Sequence, residues 1–396
     1  MHCKETGGIR MDFEERIERG EDSEKWCGAK AKEELPLWVA DMDFACSDAV
    51  IRALQKRIDE RIYGYTTGMS EAYKACVRAY YRRHFNWDFA SEDLFFSAGV
   101  VQAVSLLIHL LSKEGDAIVI QTPVYHPFRR QIEANHRRCI ANPLIRREDG
   151  TYVMDYEDLK QKLEDDSVAG MVLCSPHNPV GRVWTGEELE KLCAIAKRYG
   201  KWIISDEIHC DIVSKGIVHH MLETVCPQYK EQIITCVAPT KTFNIAGLEC
   251  SHVIIHNEEY KKRWKEVVVD QMCISAPNCF ALSAAMAAYG ESDEWRRQMN
   301  DKIDENAQLA KAFFARELPL AKVTPREGTY LLWVDLSAYE PDAKRLEKRM
   351  REQARVHLNE GVMFGEEGKC FERINIACPS SLLLEALQRI AAELKR

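Results

Sequence analysis

The stretch "QIITCVAPTK", residues 232–241, joins an apolar run to a lone lysine. The run is short and rich in Ile and Val, which is typical of a β-strand that is covered on both faces. Lys241 follows among small and hydroxyl residues, whereas most lysines lie on exposed, charged surfaces. By local sequence alone, a lysine just beyond a buried strand is either a surface residue after an edge strand or a functional side chain at the edge of the sheet.

Similar apolar runs recur through the middle of the chain and are separated by amphipathic segments. The other runs are "AIVIQ", "GMVLC", "KWIISDE" and "SHVIIH". Segments such as "TGEELEKLCAIAKRYG", residues 185–200, have the capping and periodicity of helices. Alternation of strands and helices predicts an α/β fold in which helices flank a mostly parallel sheet.

The pattern changes near residue 290, where a long charged helix is predicted from the segment "SDEWRRQMNDKIDENAQLAKAFFAREL". Three strand-like pieces follow, "GTYLLWVDL", "GVMFGEEG" and "FERINIACP", and the chain closes with another predicted helix. This order is typical of an α+β unit. We predict a large domain over residues 47–288 and a small domain formed by residues 1–46 and 289–396.

Composition argues against several classes of protein. The 396 residues carry a net charge of -8, which disfavours nucleic acid or an anionic membrane as the main partner. The polar, acidic start of the chain does not resemble a signal peptide, so we predict a cytoplasmic protein. The 15 cysteines are scattered without a C-x-x-C pair, which indicates buried thiols and neither a disulfide framework nor a metal site.

Several polar residues stand where the predicted strands end. Ligands of open α/β sheets bind beyond the carboxyl ends of the strands. A lysine amine can bond an aldehyde, an aspartate can keep a pyridine nitrogen protonated, and a helix start can bind phosphate. Together these chemistries predict pyridoxal 5'-phosphate (PLP) as cofactor. The residues at the strand ends are Gly99, Val100, Tyr125, Asn178, Asp206, His209 and Lys241.

Eight motifs, in this order, resemble fold-type-I PLP enzymes of the class I/II aminotransferase-like family. The resemblance spans nearly the whole chain and is narrower to the cysteine-S-conjugate β-lyase (cystathionine β-lyase) branch, also called the MalY/PatB group. It implies an aspartate aminotransferase-like fold with a large PLP-binding domain and a smaller α+β domain. The motifs are "LPLWVADMDF", "IYGYTTG", "QTPVYHPF", "SPHNPVGRVWT", "ISDEIHCDIV", "APTKTFNIAGL", "PREGTYLLWVDL" and "RINIACP".

The resemblance implies roles for four residues around the cofactor ring. Lys241 corresponds to the lysine that bonds the cofactor and later acts as the base. Asp206 corresponds to the partner of the pyridine nitrogen, and Asn178 to the donor to the phenolic oxygen. Tyr125 corresponds to the aromatic ring that stacks on the cofactor, and it is a candidate proton donor.

Other roles implied by the resemblance concern the phosphate and the substrate. Gly99, Val100 and Thr240 correspond to phosphate contacts, and His209 to a residue that supports the aspartate. Arg373 corresponds to the arginine that binds the substrate α-carboxylate.

Two aromatic residues are implied to lie near the substrate, and one position departs from the wider family. Tyr65 corresponds to a tyrosine that reaches the neighbouring subunit's phosphate, which implies a homodimer, and Trp38 is a further candidate substrate contact. Aminotransferases of this fold carry a phosphate-binding arginine at the position that Glu249 occupies. The lyase branch also lacks that arginine commonly, so Glu249 favours a lyase.

The predicted reaction is the cleavage of L-cystathionine or a related L-cysteine S-conjugate to a thiol, pyruvate and ammonia. The same site could instead serve an aminotransferase, because the first steps of the two reactions are shared. A third alternative is a PLP-binding regulatory protein with weak lyase activity. No metal is predicted.

Overall fold

The computed structural model describes residues 11–396. Helices often begin at a capping residue, as the sequence predicts: the Ser47 and Ser70 side chains each accept from a backbone N–H of the following turn, and Thr185 forms a capping box with Glu188. The α-helices are α1 Asp48–Asp59, α2 Glu71–Phe85, α3 Val100–Leu111, α4 Pro127–Ala134, α5 Tyr156–Glu164, α6 Gly186–Arg198, α7 Leu222–Val225, α8 Pro239–Thr242, α9 Glu258–Trp264, α10 Cys279–Glu291, α11 Asp293–Glu317, α12 Ala343–Lys348 and α13 Ser380–Leu394.

The strands form one large sheet and three smaller ones. They are β1 Leu35–Pro36, β2 Leu94–Ser97, β3 Ala117–Ile120, β4 Arg138–Ala141, β5 Ile145–Arg146, β6 Tyr152–Val153, β7 Val168–Cys174, β8 Trp202–Asp206, β9 Ile233–Val237, β10 Ser251–Ile255, β11 Lys322–Val323, β12 Leu331–Asp335, β13 Val356–His357, β14 Asn359–Glu360 and β15 Phe371–Asn375.

The large sheet has the order β2-β10-β9-β8-β7-β3-β4. Strands β9, β8, β7, β3 and β4 are parallel, and β10 runs antiparallel to both of its neighbours. The prediction of a mostly parallel sheet between helices is therefore confirmed. The register aligns Cys174, Asp206 and Cys236 on three neighbouring strands, so the residues that follow them share one edge of the sheet.

Both faces of this sheet are buried, which explains why its strands read as continuous apolar runs. Ile203 and Ile233 pack into the core on one face, whereas Ile204 and Ile234 pack into the core on the other. All four side chains are at most 1% exposed. Helices cover the two faces, and this layering holds the strand ends in fixed positions.

A four-stranded antiparallel sheet, in the order β11-β12-β15-β14, forms from the C-terminal part of the chain. The N-terminal segment joins this part through β1, which pairs in parallel with β13. Both observations are compatible with a small domain of residues 1–46 and 289–396, and those boundaries stay a prediction. Residues 1–10 of that range lie outside the described residues.

One predicted strand is different in the structure. The segment "GVMFGEEG" forms two 3-10 turns, Gly361–Phe364 and Glu366–Gly368, and the neighbouring strand is the short β14. Gly365 joins the two turns with a φ of 143°, a conformation that favours glycine and that interrupts a strand. Gly361 and Gly368 also pack so closely that a Cβ on either one would overlap the carbonyl group of the other.

No helix within residues 11–396 is both long and apolar enough to cross a membrane.

Candidate active site

A cavity of about 170 Å³ lies beyond the carboxyl ends of β7, β8 and β9. The strand ends converge there because the three strands are parallel and in register. Most of the residues that the sequence predicts for the site line this one cavity. They are Gly99, Val100, Tyr125, Asn178, Asp206, His209, Thr240 and Lys241.

Lys241 lies in the short helix α8 and extends into the cavity. Its Nζ donates to the main-chain carbonyl of Ala40 at 2.5 Å. Burial lowers the pKa of the Lys241 amine, and the nearby Arg373 charge acts in the same direction, whereas Asp41 opposes them. A lowered pKa favours the neutral amine, which is the form that acts as nucleophile and base.

The carbonyl that receives Lys241 belongs to an N-terminal strap, residues 38–44, which is held by buried polar side chains. Asn375 Nδ2 donates to the carbonyls of Val39 and Asp41 at 2.7 and 2.8 Å. The Tyr330 hydroxyl donates to Ala40 at 2.8 Å. Because several groups fix the strap, the acceptor for Lys241 has a defined position.

Asp206 is the last residue of β8 and is 5% exposed. Its carboxylate accepts from the Ile208 N–H at 3.2 Å, and burial raises its pKa to about 7. His209 lies beside it in the cavity, where burial lowers the histidine pKa to about 3, so the ring is neutral. The Nδ1 of His209 is buried without a hydrogen-bond partner among the described residues.

Asn178 connects the cavity to Arg373. The Arg373 guanidinium donates to Asn178 Oδ1 at 3.0 Å and to the Trp38 carbonyl at 2.8 Å, and it also donates to Asn359. Because the oxygen of the Asn178 amide is taken, its NH₂ group remains available as a donor. Burial lowers the pKa of Arg373 to about 10, which leaves the guanidinium charged at neutral pH.

Helix α3 starts at the cavity with Gly99 as its N-cap, and no side chain caps it. The first N–H groups of a helix lack partners within the helix and attract anions. Thr240 adds a hydroxyl-bearing side chain to the same cavity. This end of the cavity is therefore suited to a phosphate.

Four features of the cavity fit PLP. The buried carboxylate of Asp206 has a raised pKa in spite of the nearby Lys241 charge, and a protonated ring nitrogen would supply a direct ion-pair partner. The orphaned His209 nitrogen indicates a missing polar partner beside that carboxylate. The uncapped start of α3 provides donors for a phosphate, and Lys241 provides an amine for an aldehyde.

Three predicted residues do not line this cavity: Arg373, which contacts it through Asn178, and the aromatic residues Tyr65 and Trp38. The Tyr65 side chain is fully exposed. Trp38 contributes its carbonyl to Arg373, while its ring stacks on His357 with a centroid distance of 4.6 Å and lines a different cavity. Within one chain, therefore, neither aromatic ring reaches the Lys241 cavity.

Two contributors to the site have no individual signature in the sequence. Ala40 acts through its carbonyl, which any residue possesses. Asn359 supports Arg373 from β14, an edge strand of two residues that lacks an alternating pattern. The motif "LPLWVADMDF" contains Ala40 and therefore indicates that this segment belongs to the site. The residue type alanine alone gives no such indication.

The raised pKa of Asp206 predicts how the cofactor-free protein responds to pH. The folded protein holds a proton that the unfolded chain releases near 3.8, so this contribution to stability is present at low pH and is lost as pH rises towards 7. Between about pH 5 and about pH 8 the loss is about 3 kcal/mol. Urea unfolding should show that Asp206→Asn removes this part of the pH dependence.

A matched control for that measurement is Asp166→Asn, which changes an exposed aspartate. The control should keep the wild-type dependence of unfolding free energy on pH. Equal slopes for wild type and Asp206→Asn would contradict the buried, protonated carboxyl.

Comparison with known proteins places the chain in a family. Residues 32–390 match the family model "Aminotransferase class I and II". Cystathionine beta-lyase PatB of Bacillus subtilis is 38% identical over 97% of this chain and 100% of its own length.

Solved structures agree. Cystalysin from Treponema denticola, which contains a pyridoxal 5'-phosphate cofactor, aligns with a TM-score of 0.93 and 35% identity over 97% of this chain and 99% of its own. The PLP-bound C-S lyase from Staphylococcus hominis aligns with a TM-score of 0.92 and 34% identity, covering 98% of this chain and 99% of its own. The fold is thus that of the PLP fold-type-I enzymes, and the chain belongs to the aminotransferase class I and II family.

Proposed function

We propose that this protein is a PLP-dependent carbon–sulfur β-lyase that cleaves L-cystathionine or a related L-cysteine S-conjugate to a thiol, pyruvate and ammonia. The observation that carries the proposal is the position of the Lys241 amine, which shares one cavity with Asp206 and Asn178 and lies near Arg373. The similarity to proteins named cystathionine beta-lyase and C-S lyase supports the same reaction.

The protein residues divide into those that hold the cofactor and those that act on the substrate. When bound, PLP supplies an aldehyde that condenses with amines and a protonated ring that accepts electrons from the substrate Cα. Lys241 would bond that aldehyde, Asp206 would keep the ring nitrogen protonated, and the Asn178 NH₂ would donate to the phenolic oxygen. Tyr125 would pack against the ring, and His209 would support the aspartate.

Phosphate binding falls to Gly99, Val100 and Thr240. The uncapped start of α3 provides backbone donors, and the Thr240 hydroxyl adds one more. Aminotransferases of this fold have an arginine at the position of Glu249, which here is exposed and adopts the left-handed αL conformation. Without that arginine, phosphate binding depends more on these neutral donors.

On the substrate, Arg373 binds the α-carboxylate through its planar guanidinium. Lys241, once free, takes the Cα proton; its lowered pKa makes the neutral amine available as a general base. The thiolate then leaves from Cβ and takes a proton from Lys241 or Tyr125. Water hydrolyses the remaining three-carbon fragment to pyruvate and ammonia.

We further propose a cytoplasmic homodimer. The segment around Tyr65 supports the dimer because Ile62, Tyr63 and Tyr65 are all strongly exposed apolar side chains next to one another. A neighbouring subunit would cover them, and Tyr65 would reach that subunit's phosphate site and substrate. The described cysteines, Cys27–Cys378, are free thiols, which suits a reducing compartment.

The test is to add L-cystathionine alone to purified, PLP-loaded protein and to assay pyruvate and free thiol. The lyase predicts that both products form in equal amounts without any added keto acid. If no pyruvate forms, and the amino group is transferred only when a keto acid is supplied, the lyase proposal is contradicted and the protein is an aminotransferase.

A further inference from the structure

A second cavity, of about 210 Å³, lies on the other side of Arg373 from the active site. It follows the edge of the small sheet at β14 and reaches helix α12. Trp38 and Asn359 belong to its wall and also accept hydrogen bonds from Arg373. The residues that give this cavity its chemistry are Trp38, Glu347, Arg351, His357, Glu360 and Glu372.

Strand alternation separates this cavity from the active site. Glu372 and Arg373 are consecutive residues of β15, so their side chains point to opposite faces of the sheet. In the register, Arg373 pairs with Asn359 and Glu372 pairs with Glu360. One pair serves the carboxylate-binding arginine, and the other pair places two carboxyl groups on the opposite face.

Glu372 is 2% exposed and lines the cavity. The groups of residues 11–396 that act on its pKa are the carboxyl groups of Glu360 and Glu347, with no cation and no hydrogen-bond donor among them. Burying a carboxylate in this way is costly unless the group is neutralised by a proton or by a cation. The carboxyl group of Glu372 is therefore suited to pair with a cation.

The surroundings of Glu372 add negative charge. Burial raises the pKa of Glu360, the neighbouring Glu347 raises it further, and both carboxyl groups act electrostatically on Glu372. Arg351 is the cation in the wall, and its Nε already donates to Glu34 at 3.3 Å. Three carboxyl groups thus share the cavity with one guanidinium, which forms an ion pair with Glu34 and also acts electrostatically on Glu360.

The walls favour an organic cation over a metal ion. Trp38 and His357 form a stacked aromatic pair with an interplanar angle of 12°, and Met350, Leu358 and Met363 are apolar. Aromatic faces attract ammonium groups, whereas Mg²⁺ and Ca²⁺ require a shell of oxygen ligands. In the part of the chain that the structure describes, no three acidic, His or Cys side chains are placed to hold a metal.

We propose that this cavity binds the ammonium group of a small aliphatic amine, with Glu372 as its counter-ion and with Glu360 and Glu347 beside it. The volume is below that of a drug-sized pocket, so a short alkyl chain packed along the Trp38–His357 wall fills it. Burial lowers the pKa of His357 to about 4, so this ring stays neutral and does not repel the ligand.

Binding of an ammonium ion beside Glu372 should also release a proton. Burial raises the pKa of Glu372 well above its ordinary value, and the neighbouring Glu360 and Glu347 raise it further, which favours a proton on this carboxyl group when no cation is bound. An ammonium ion favours the carboxylate, so binding releases that proton and strengthens as pH rises until the amine itself is deprotonated.

Isothermal titration calorimetry with butylammonium chloride tests the site on the PLP-loaded protein, with the aldehyde first blocked by borohydride so that the amine cannot react with it. We expect a saturable heat with butylammonium and none with butan-1-ol, which has a similar length but no charge. Titrations in two buffers of different ionisation enthalpy should report proton release.

Glu372→Gln keeps the shape of the side chain and should weaken binding about 10- to 100-fold. Glu148→Gln, at an exposed glutamate outside the cavity, should bind like wild type. Glu360→Gln is the second variant, to be used if Glu372→Gln does not fold, and it should also weaken binding. Absence of a saturable heat, undiminished binding in the cavity variants, or saturation by Mg²⁺ instead would overturn the proposal.

Discussion

Replacing Lys241 with alanine is expected to lower the turnover of a cysteine thioether by at least about 10³-fold. The substitution removes two functions at once, the amine that bonds the cofactor and the base that takes the Cα proton. General base catalysis alone typically contributes about 10²- to 10⁴-fold. Pyruvate and thiol formation by wild type and Lys241→Ala, measured at saturating PLP, checks the size of the loss.

A second measurement distinguishes loss of activity that is caused by the missing amine from loss that is caused by misfolding of the variant. Borohydride reduction followed by mass spectrometry should find the cofactor attached to the peptide that contains Lys241 in wild type, and unattached in the variant. Lys191→Ala, at an exposed lysine of α6, is the matched control and should keep both activity and attachment. Attachment at another lysine, or full activity in Lys241→Ala, would contradict the proposed site.

The large sheet could be predicted because its physics is local. Runs such as residues 233–237 are apolar without alternation since both of their faces are buried, and the intervening helices carry their own capping residues. The small sheet was harder to predict. Its edge strand β14 has two residues, and Gly365 interrupts the segment that resembles a strand.

The residues of the candidate site likewise comprise some that the sequence could predict and some that it could not. Lys241, Asp206 and Asn178 could be predicted because each lies at or just beyond the end of a buried strand that faces the cavity. Ala40 could not, since it contributes a carbonyl from a segment 201 residues away in the sequence. Contacts that depend on the backbone or on the packing of distant segments leave no pattern of residue types.

The unpartnered Glu372 shows a further limit of sequence reasoning. Glutamate is rarely buried without a partner, and the segment "FERINIACP" alone does not show which side chains of the strand are covered. In the structure the Glu372 side chain is 2% exposed and lines a cavity with Glu347 of α12 and Glu360 of β14, and no hydrogen-bond donor of residues 11–396 acts on its pKa. Burial of this kind depends on tertiary packing.

Replacing Arg373 with glutamine is expected to lower kcat/KM for a cysteine thioether by about 10²-fold or more. The guanidinium is buried and charged, and Asn178, Asn359 and the Trp38 carbonyl fix its orientation. A paired, charge-assisted contact with a carboxylate contributes about 1.5 to 3 kcal/mol per hydrogen bond, and the planar fork can make two. Arg373→Lys should recover only part of the loss, because an ammonium lacks the fork.

The decisive comparison uses a substrate pair that differs in one group. Wild type should strongly prefer an L-cysteine thioether over the corresponding cysteamine thioether, which lacks the α-carboxylate. In Arg373→Gln that preference should fall to within a few-fold of one, since the variant has lost the group that recognises the carboxylate. If the variant were slower on both thioethers by the same factor, the preference would be retained, and Arg373 would then support Asn178 and the strap and not bind the substrate itself.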